Sequence, residues 1–415
     1  MQQFRVNGER LWNTIMETAQ FGGTSGGGIS RLTLSDADRE ARDWLVRECM
    51  ALGCTISVDE VGNIFARRPG NDNSRAPIAF GSHLDTQPSG GKFDGIAGVL
   101  AGLELLKTLQ DNHYTTDAPL ELINWTNEEG SRFAPTMIAS GAFAGIYTTE
   151  FAHGVKDRQG KTFRGELERI GYLGDRPAGD HQLAAYFELH IEQGPILDQE
   201  GITVGVVTGA QGQRWYELNV QGLDSHAGST PMPVRRDAML ACARITDGVN
   251  RIALGHAPAG MATVGLVEVS PNSRNVIPGR VFFTVDMRHP DGAVLLEMHR
   301  EFDALVDAVA RETRTEISNE CVLDLLPTRF DEGCVNVVRD VAERLQYSHR
   351  DIVSGPGHDA VNVARVTRAA MVFIPCEHGI SHNEAEAARP DELTAGANVL
   401  LHAILEYDSG TADAV

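Results

Sequence analysis

Apolar and polar positions follow two different rhythms along the chain, and the change of rhythm divides it. Residues 36–52 carry apolar positions at helical spacing and predict an amphipathic helix. Residues 76–82, APIAFGS, predict a short buried strand. From Gly95 to about Gln110 the run IAGVLAGLELLKTLQ has the length and near-continuous apolarity of a buried helix, and 119–126, PLELINWT, predicts a second strand. Strand, loop, helix, strand is the grammar of an α/β domain. It returns at 183–191, LAAYFELHI, and at 370–375, AMVFIP, followed by a closing helix near 391–407.

Between these lies a segment of different texture. RWYELNVQG (214–222) and RVFFTVDMR (280–288) alternate apolar and polar residues, as strands with one covered face do, and helical patterns sit beside them at about 234–252 and 292–312. The order β-α-β-β-α-β predicts a four-stranded antiparallel sheet with two helices on one face, a ferredoxin-like α+β domain at 211–327. This domain is read as an insertion into an α/β domain made of 1–210 and 328–415, since 415 residues exceed one ordinary core. The glycine run GGTSGGG (22–28) reads as a flexible loop.

Composition acts mainly by exclusion. A formal charge of −21 repels a phosphate backbone or an anionic membrane, and there is no basic patch to offset it, so nucleic-acid and membrane partners are discounted. MQQFRVNGERLW lacks the apolar core of a signal peptide and no long apolar run follows, which predicts a cytoplasmic protein. Six cysteines are scattered without a Cys-x-x-Cys pair and suit free thiols in a reducing compartment, so any metal must use His, Asp and Glu. Gly23–Gly27 satisfies a Gly-x-Ser-x-Gly pattern, but no strand precedes it. GPGHDA (355–360) lacks the rest of a dinucleotide fingerprint, and both are set aside.

The candidate chemistry sits where predicted strands end. In His83-Leu84-Asp85 an extended chain puts both polar side chains on one face, where the carboxylate can hold one imidazole nitrogen and leave the other for a metal. Asp94 opens the predicted helix, where a simple N-cap is the alternative. Glu128-Glu129 follows the strand 119–126; two adjacent carboxylates repel unless a cation or shared proton compensates, though a solvated acidic turn gives the same pattern. Glu188, His190 and Glu192 alternate onto one face of a core strand, and His382 follows the strand 370–375. Together His83, Asp94, Glu129, His190 and His382 occupy strand ends or the loops beyond them, where open α/β sheets hold ligands. Three imidazoles and two carboxylates suit zinc, with manganese, cobalt or nickel as alternatives. In the predicted insertion, Arg288 shares a strand face with Asp286, so an ion pair competes with a role as a clamp on a substrate carboxylate.

The phrases GSHLDTQPSGGKFDGIAGVLAGLELL, NEEGSRFAPTMIAS, FELHIEQGPIL, SHAGSTPM, RNVIPG, DMRHP, SGPGHDA and GISHNEAE, in this order along nearly the whole chain, resemble the amidase, hydantoinase and carbamoylase family of di-zinc amidohydrolases, relatives of the aminoacylase and carboxypeptidase-type metallopeptidases. Within it the likeness is greatest to the yeast-type β-ureidopropionase branch, then to N-carbamoyl-L-amino acid hydrolases and allantoate amidohydrolases. The resemblance implies two divalent ions per subunit, with His83 and His190 on one, Glu129 and His382 on the other, and Asp94 between them. It implies Glu128 as general base, Asp85 as the carboxylate orienting His83, and Gln193, Asn275 and Arg288 as substrate contacts. It implies that His226 reaches the active site of a partner subunit, hence a homodimer through the inserted domain. Because His226 and Arg288 lie in the inserted domain, closure of the two domains is expected to assemble the site. The activity implied is hydrolysis of the carbamoyl C–N bond of N-carbamoyl amino acids. Allantoate hydrolysis, an aminoacylase or dipeptidase activity, and an inactive metal-binding dimer are the alternatives. One departure from the family pattern is Pro356, where Gly-Pro-Gly replaces Gly-Ala-Gly and bears on the pocket wall.

Overall fold

The computed structural model describes residues 4–410, which fall into two compact units, one formed by the chain up to Gly209 together with the part from Arg329 onward, the other by Ala210–Thr328. Each is described by itself.

The larger unit is built on a mixed sheet of nine strands among the described residues. Its centre is four parallel strands in the spatial order Leu120–Trp125, Ile78–His83, Ala185–Ile191, Ala369–Ile374. Every residue of these strands is buried, so both faces are covered, and this is why they read as apolar runs rather than alternating ones. Antiparallel strands flank them: Ile64–Arg68 beside Leu120–Trp125, and Val204–Ala210 beside Ala369–Ile374. The helix Ile96–Asp111 lies on the sheet and is itself covered by the helices Gly8–Thr18 and Pro390–Asp408, which accounts for its near-continuous apolarity. Gly98 makes the close approach, since a Cβ there would meet the Leu189 carbonyl of the underlying strand. No helix among the described residues is long and apolar enough to cross a membrane.

The four parallel strands point their carboxyl ends the same way, so Asp85, Glu128, Gln193 and His382 all lie on segments leaving one edge of the sheet. The helix Asp36–Ala51 is tied to one of these segments. Its fully buried Arg42 binds Asp38 (2.8 Å), the Gly62 carbonyl (2.9 Å) and the Thr126 hydroxyl (3.0 Å), two residues before Glu128. Arg42→Ala would leave the Asp38 charge buried without its partner. We expect a loss of about 3–5 kcal/mol, read as a lower midpoint in urea unfolding with an unchanged slope; a shift within error would mean that the Asp38 charge is compensated elsewhere.

The smaller unit runs β-α-β-β-α-β. Its strands Gly212–Gln221, Met261–Ser270, Arg280–His289 and Glu316–Leu325 form an antiparallel sheet in which Arg280–His289 and Gly212–Gln221 are central. Strict alternation of burial along the two central strands sends Tyr216, Leu218, Val220, Val281, Phe283 and Val285 against the helices Ala238–Gly255 and Gly292–Thr313. Both helices start at an aspartate, Asp237 and Asp291, whose carboxylate accepts two free backbone N–H groups of the first turn. The first of them begins at Ala238 rather than near 234, because Pro231 and Pro233 hold the chain in a short 3-10 turn before the Asp237 cap.

Candidate metal centre

Two neighbouring clusters of possible cation ligands share one carboxylate. His83, Asp94 and His190 form the first and Asp94, Glu129 and His382 the second, with the ligand atoms of each cluster within 4.8 Å of one another. The two oxygens of Asp94 divide between them. Oδ1 lies 3.2 Å from His190 Nε2 and 3.8 Å from His83 Nε2, while Oδ2 lies 3.3 Å from His382 Nε2, which is 3.5 Å from Glu129 Oε2. Glu128 Oε2 stands 3.6 Å from His83 Nε2, beside the first cluster.

Backbone geometry aims these groups. His83 Nδ1 donates to the Asp85 carbonyl (2.9 Å) and His190 Nδ1 to the Ile191 carbonyl (2.9 Å); a carbonyl only accepts, so both rings carry their proton on Nδ1 and turn Nε2 toward Asp94. The Asp85 carboxylate stands farther from the ring than the carbonyl does, its nearest oxygen 3.9 Å from Nδ1, and it accepts the Glu128 and Glu129 N–H groups, each at 3.3 Å. The residue after His83 places Asp85 beyond the strand end, where the chain turns and its carbonyl, not its side chain, meets the ring. Nor is Asp94 a helix cap: the cap position is Gly95, with φ 67°, and no side chain caps the turn. A Cβ at Gly95 would enter the His83 ring, so glycine is required both by the backbone angle and by the imidazole.

Glu188 and Glu192, read from the alternation as partners of His190 on one polar face, serve the scaffold. Glu188 accepts from Ser82 Oγ (2.6 Å), Tyr186 Oη (3.2 Å) and the Ala360 N–H (3.1 Å), and it also stands in a third possible ligand cluster with His190 and His358. Glu192 caps the next turn through the N–H groups of Ile196 and Leu197. Three contributors escaped the sequence reading. Gln87 donates to Glu129 (2.6 Å), and Ser381 donates to Asp94 Oδ2 (3.3 Å) and to Glu386 (2.9 Å). Glu386 also accepts the Phe93 and Asp94 N–H groups, both at 3.0 Å, and so holds the backbone of the shared ligand. These contacts are long-range and no periodicity announces them; the only signal was the polar run GISHNEAE around His382.

The electrostatics favour cations. Burial drives His83 down to about 4, which keeps its ring neutral with a lone pair to give. Burial also opposes protonation of His190, but Asp94 and Glu188 outweigh it and carry the ring up to about 9; the proton then stands where a cation would compete for the same nitrogen. Asp94 is held well below the carboxylate range, because the bonds from His190 and His382 overcome its burial. Glu128 and Glu129 are pushed well above it, by burial first and then by neighbouring carboxylates: Asp359, Glu129, Asp94 and Asp85 around Glu128, and Asp94 and Asp85 around Glu129. Burial and the Asp38 charge lift Asp85 to about 7. A buried ring of carboxylates interleaved with imidazoles, with one aspartate facing two clusters, fits divalent cations with oxygen and nitrogen ligands.

Of the proposed substrate contacts, Gln193 lies at this centre, its Nε2 2.9 Å from Asp94 Oδ2 and 3.3 Å from His382 Nε2. His226, Asn275 and Arg288 belong to the smaller unit. There His226 pairs with Val276 in a two-stranded ladder, and the Asn275 carbonyl accepts the Ala227 N–H (2.9 Å), so His226 and Asn275 arrive side by side. His226 Nδ1 accepts from the N–H groups of Gly228 (3.0 Å) and Ser229 (3.2 Å), which leaves the ring proton on Nε2 as a donor. Arg288 makes the ion pair that its strand face allowed, with Nη2 2.7 Å and Nε 3.0 Å from the Asp286 carboxylate.

Residues 79–406 match the model of Peptidase family M20/M25/M40. The chain is 48% identical over 402 residues to the N-carbamoyl-L-amino-acid amidohydrolase of Rhizobium meliloti, covering 97% of each. It is 33% identical over 387 residues to the allantoate amidohydrolase of Bacillus subtilis, covering 92% of this chain and 93% of that relative. Among solved structures it is similar to an amidase of the hydantoinase/carbamoylase family from Burkholderia multivorans, with 56% identity, a TM-score of 0.93, and coverage of 97% of this chain and 98% of that one.

Proposed function

The chain belongs to Peptidase family M20/M25/M40, a metal-dependent family, and from that premise we propose that it hydrolyses the carbamoyl C–N bond of N-carbamoyl-L-amino acids, using two divalent cations, zinc by preference. The observation that carries the proposal is Asp94, whose two oxygens face two separate imidazole-bearing clusters with Glu128 alongside. Relatives named for this substrate, similar over nearly the whole chain, support it.

A ureido carbonyl is a poor electrophile, because two nitrogens donate into it. Cations bound by these residues would supply Lewis-acid polarisation of that carbonyl and acidify a water as nucleophile. Glu128 takes the proton of the attacking water and returns it to the departing nitrogen; burial and the neighbouring carboxylates raise its affinity for that proton. Water adds to the carbonyl carbon and both C–N bonds break in turn, giving the amino acid, ammonia and carbon dioxide. Gln193 orients the substrate near Asp94 and His382. His226 offers its Nε2 proton to the oxyanion, Asn275 assists it, and Arg288 holds the substrate carboxylate, sharing its guanidinium with Asp286. We assign His226 to the active site of a second copy, with the smaller unit as the dimer contact.

A steady-state comparison of N-carbamoyl-L-amino acids, N-carbamoyl-β-alanine, allantoate and dipeptides tests the substrate class. N-carbamoyl-L-amino acids should give the highest kcat/KM and dipeptides none. The allantoate reading rests on the relatives of that name, and would replace ours if allantoate led the series.

A further inference from the structure

The glycine run at 22–28 is the feature that the catalytic reading does not use. Instead of a free loop it is a folded socket. Gly23 and Gly90 both bridge to Ile29, the Thr24 N–H donates to the Gly28 carbonyl (3.0 Å), and the Gly28 N–H donates to Thr24 Oγ1 (3.1 Å). Into this socket goes the side chain of Glu384, which accepts a hydrogen bond from Thr24 Oγ1. A Cβ at either Gly26 or Gly28 would occupy the space of the Glu384 side chain, which gives those glycines a packing reason.

Glu384 is two residues beyond His382, and the two ligand clusters differ in how firmly they are built. His83 and His190 lie on central strands with 2% and 1% of their side chains exposed, whereas His382 sits on a loop with φ 55° and half its side chain exposed. Gly90, four residues before Asp94, is tied to the same N-terminal segment through the paired Ile29 and Gly90 bonds, each 2.9 Å. The segment 22–30 thus grips both the loop that carries the shared aspartate and the loop that carries the most exposed imidazole.

We propose that residues 22–28 form a clasp on Glu384 that holds His382 in place and so sets the affinity of the second cluster, Asp94, Glu129 and His382, for its cation. The proposal rests on the metal-centre reading. Thr24, Gly26, Gly28 and Glu384 are positioning residues, none of them a ligand, and their effect falls on one cluster: the first keeps its strand-borne imidazoles whether or not the clasp is closed.

The test is a calorimetric titration of metal-free full-length protein with Zn(II), repeated with Co(II) and read by its visible absorption. Wild type, Thr24→Val, Thr24→Ser and Glu384→Ala are compared. Wild type should take up two cations per chain. Thr24→Val and Glu384→Ala should keep the tighter event and weaken the other roughly 10-fold or more, on the scale of a lost outer-shell partner, and Thr24→Ser should restore it. An equal loss at both sites would indicate general damage and overturn the clasp, as would two undisturbed events in both variants. A wild-type protein that binds fewer than two cations defeats the two-cation reading as well.

Discussion

Asp94→Asn should empty both ligand clusters at once. The substitution keeps the side-chain shape but removes the charge on which His83 and His190 converge through Oδ1 and His382 through Oδ2. Cation content measured by atomic emission should fall to a small fraction of wild type, and hydrolysis by more than the ~100-fold that loss of an outer-shell partner can cost. His382→Ala is the comparison, because it touches one cluster only and should leave about half of the bound metal. The shared-ligand geometry is refuted if Asp94→Asn retains the full complement.

Glu128→Gln should separate binding from chemistry. Gln keeps the size and one acceptor oxygen of Glu128 but cannot take a proton, and Glu128 belongs to neither ligand cluster. Bound cations should therefore remain, KM should change little, and kcat should drop by ~10²–10⁴-fold, the range for a positioned general base. Two outcomes would tell against this role: unchanged turnover, or loss of metal with loss of turnover, which would make Glu128 a ligand. The carboxyl is buried among Asp359, Glu129, Asp94 and Asp85, and removing its charge relieves repulsion. The variant should accordingly be no less stable than wild type, which thermal unfolding would check.

Some of this protein could be read without coordinates. The helix at 96–111 and the four parallel strands announce themselves because burial on both faces forces continuous apolarity, and the smaller unit's central strands because burial on one face forces alternation. The placement of His83, Glu129, His190 and His382 follows from the same runs, since polar residues at the end of a buried strand or in the segment leaving it gather at the sheet edge. Short-range inference left out the partners that the turning backbone supplies. Alternation placed the Asp85 side chain beside His83, but the strand ends at His83 and the carbonyl takes that place. Alternation also grouped Glu188 and Glu192 with His190; Glu188 does stand beside that ring, and both carboxylates in addition accept from Ser82, Tyr186 or backbone N–H groups. The glycine run looked flexible because glycine permits many conformations, and only its contact with Glu384, 360 residues away from Thr24, shows which one it adopts.

The sequence by itself determined the elements, the sheet edge to which the polar residues go, and the kinds of atom available there, because hydrophobic period and side-chain chemistry are local properties. Tertiary structure alone decided that Asp94 turns one oxygen to each cluster, that backbone carbonyls aim the imidazoles, and that Glu386 and the 22–28 loop brace the ligand loops. Those relations join segments hundreds of residues apart. They arise when four strand ends and a helix start are packed at one edge, where a few ångströms separate a ligand from a bystander.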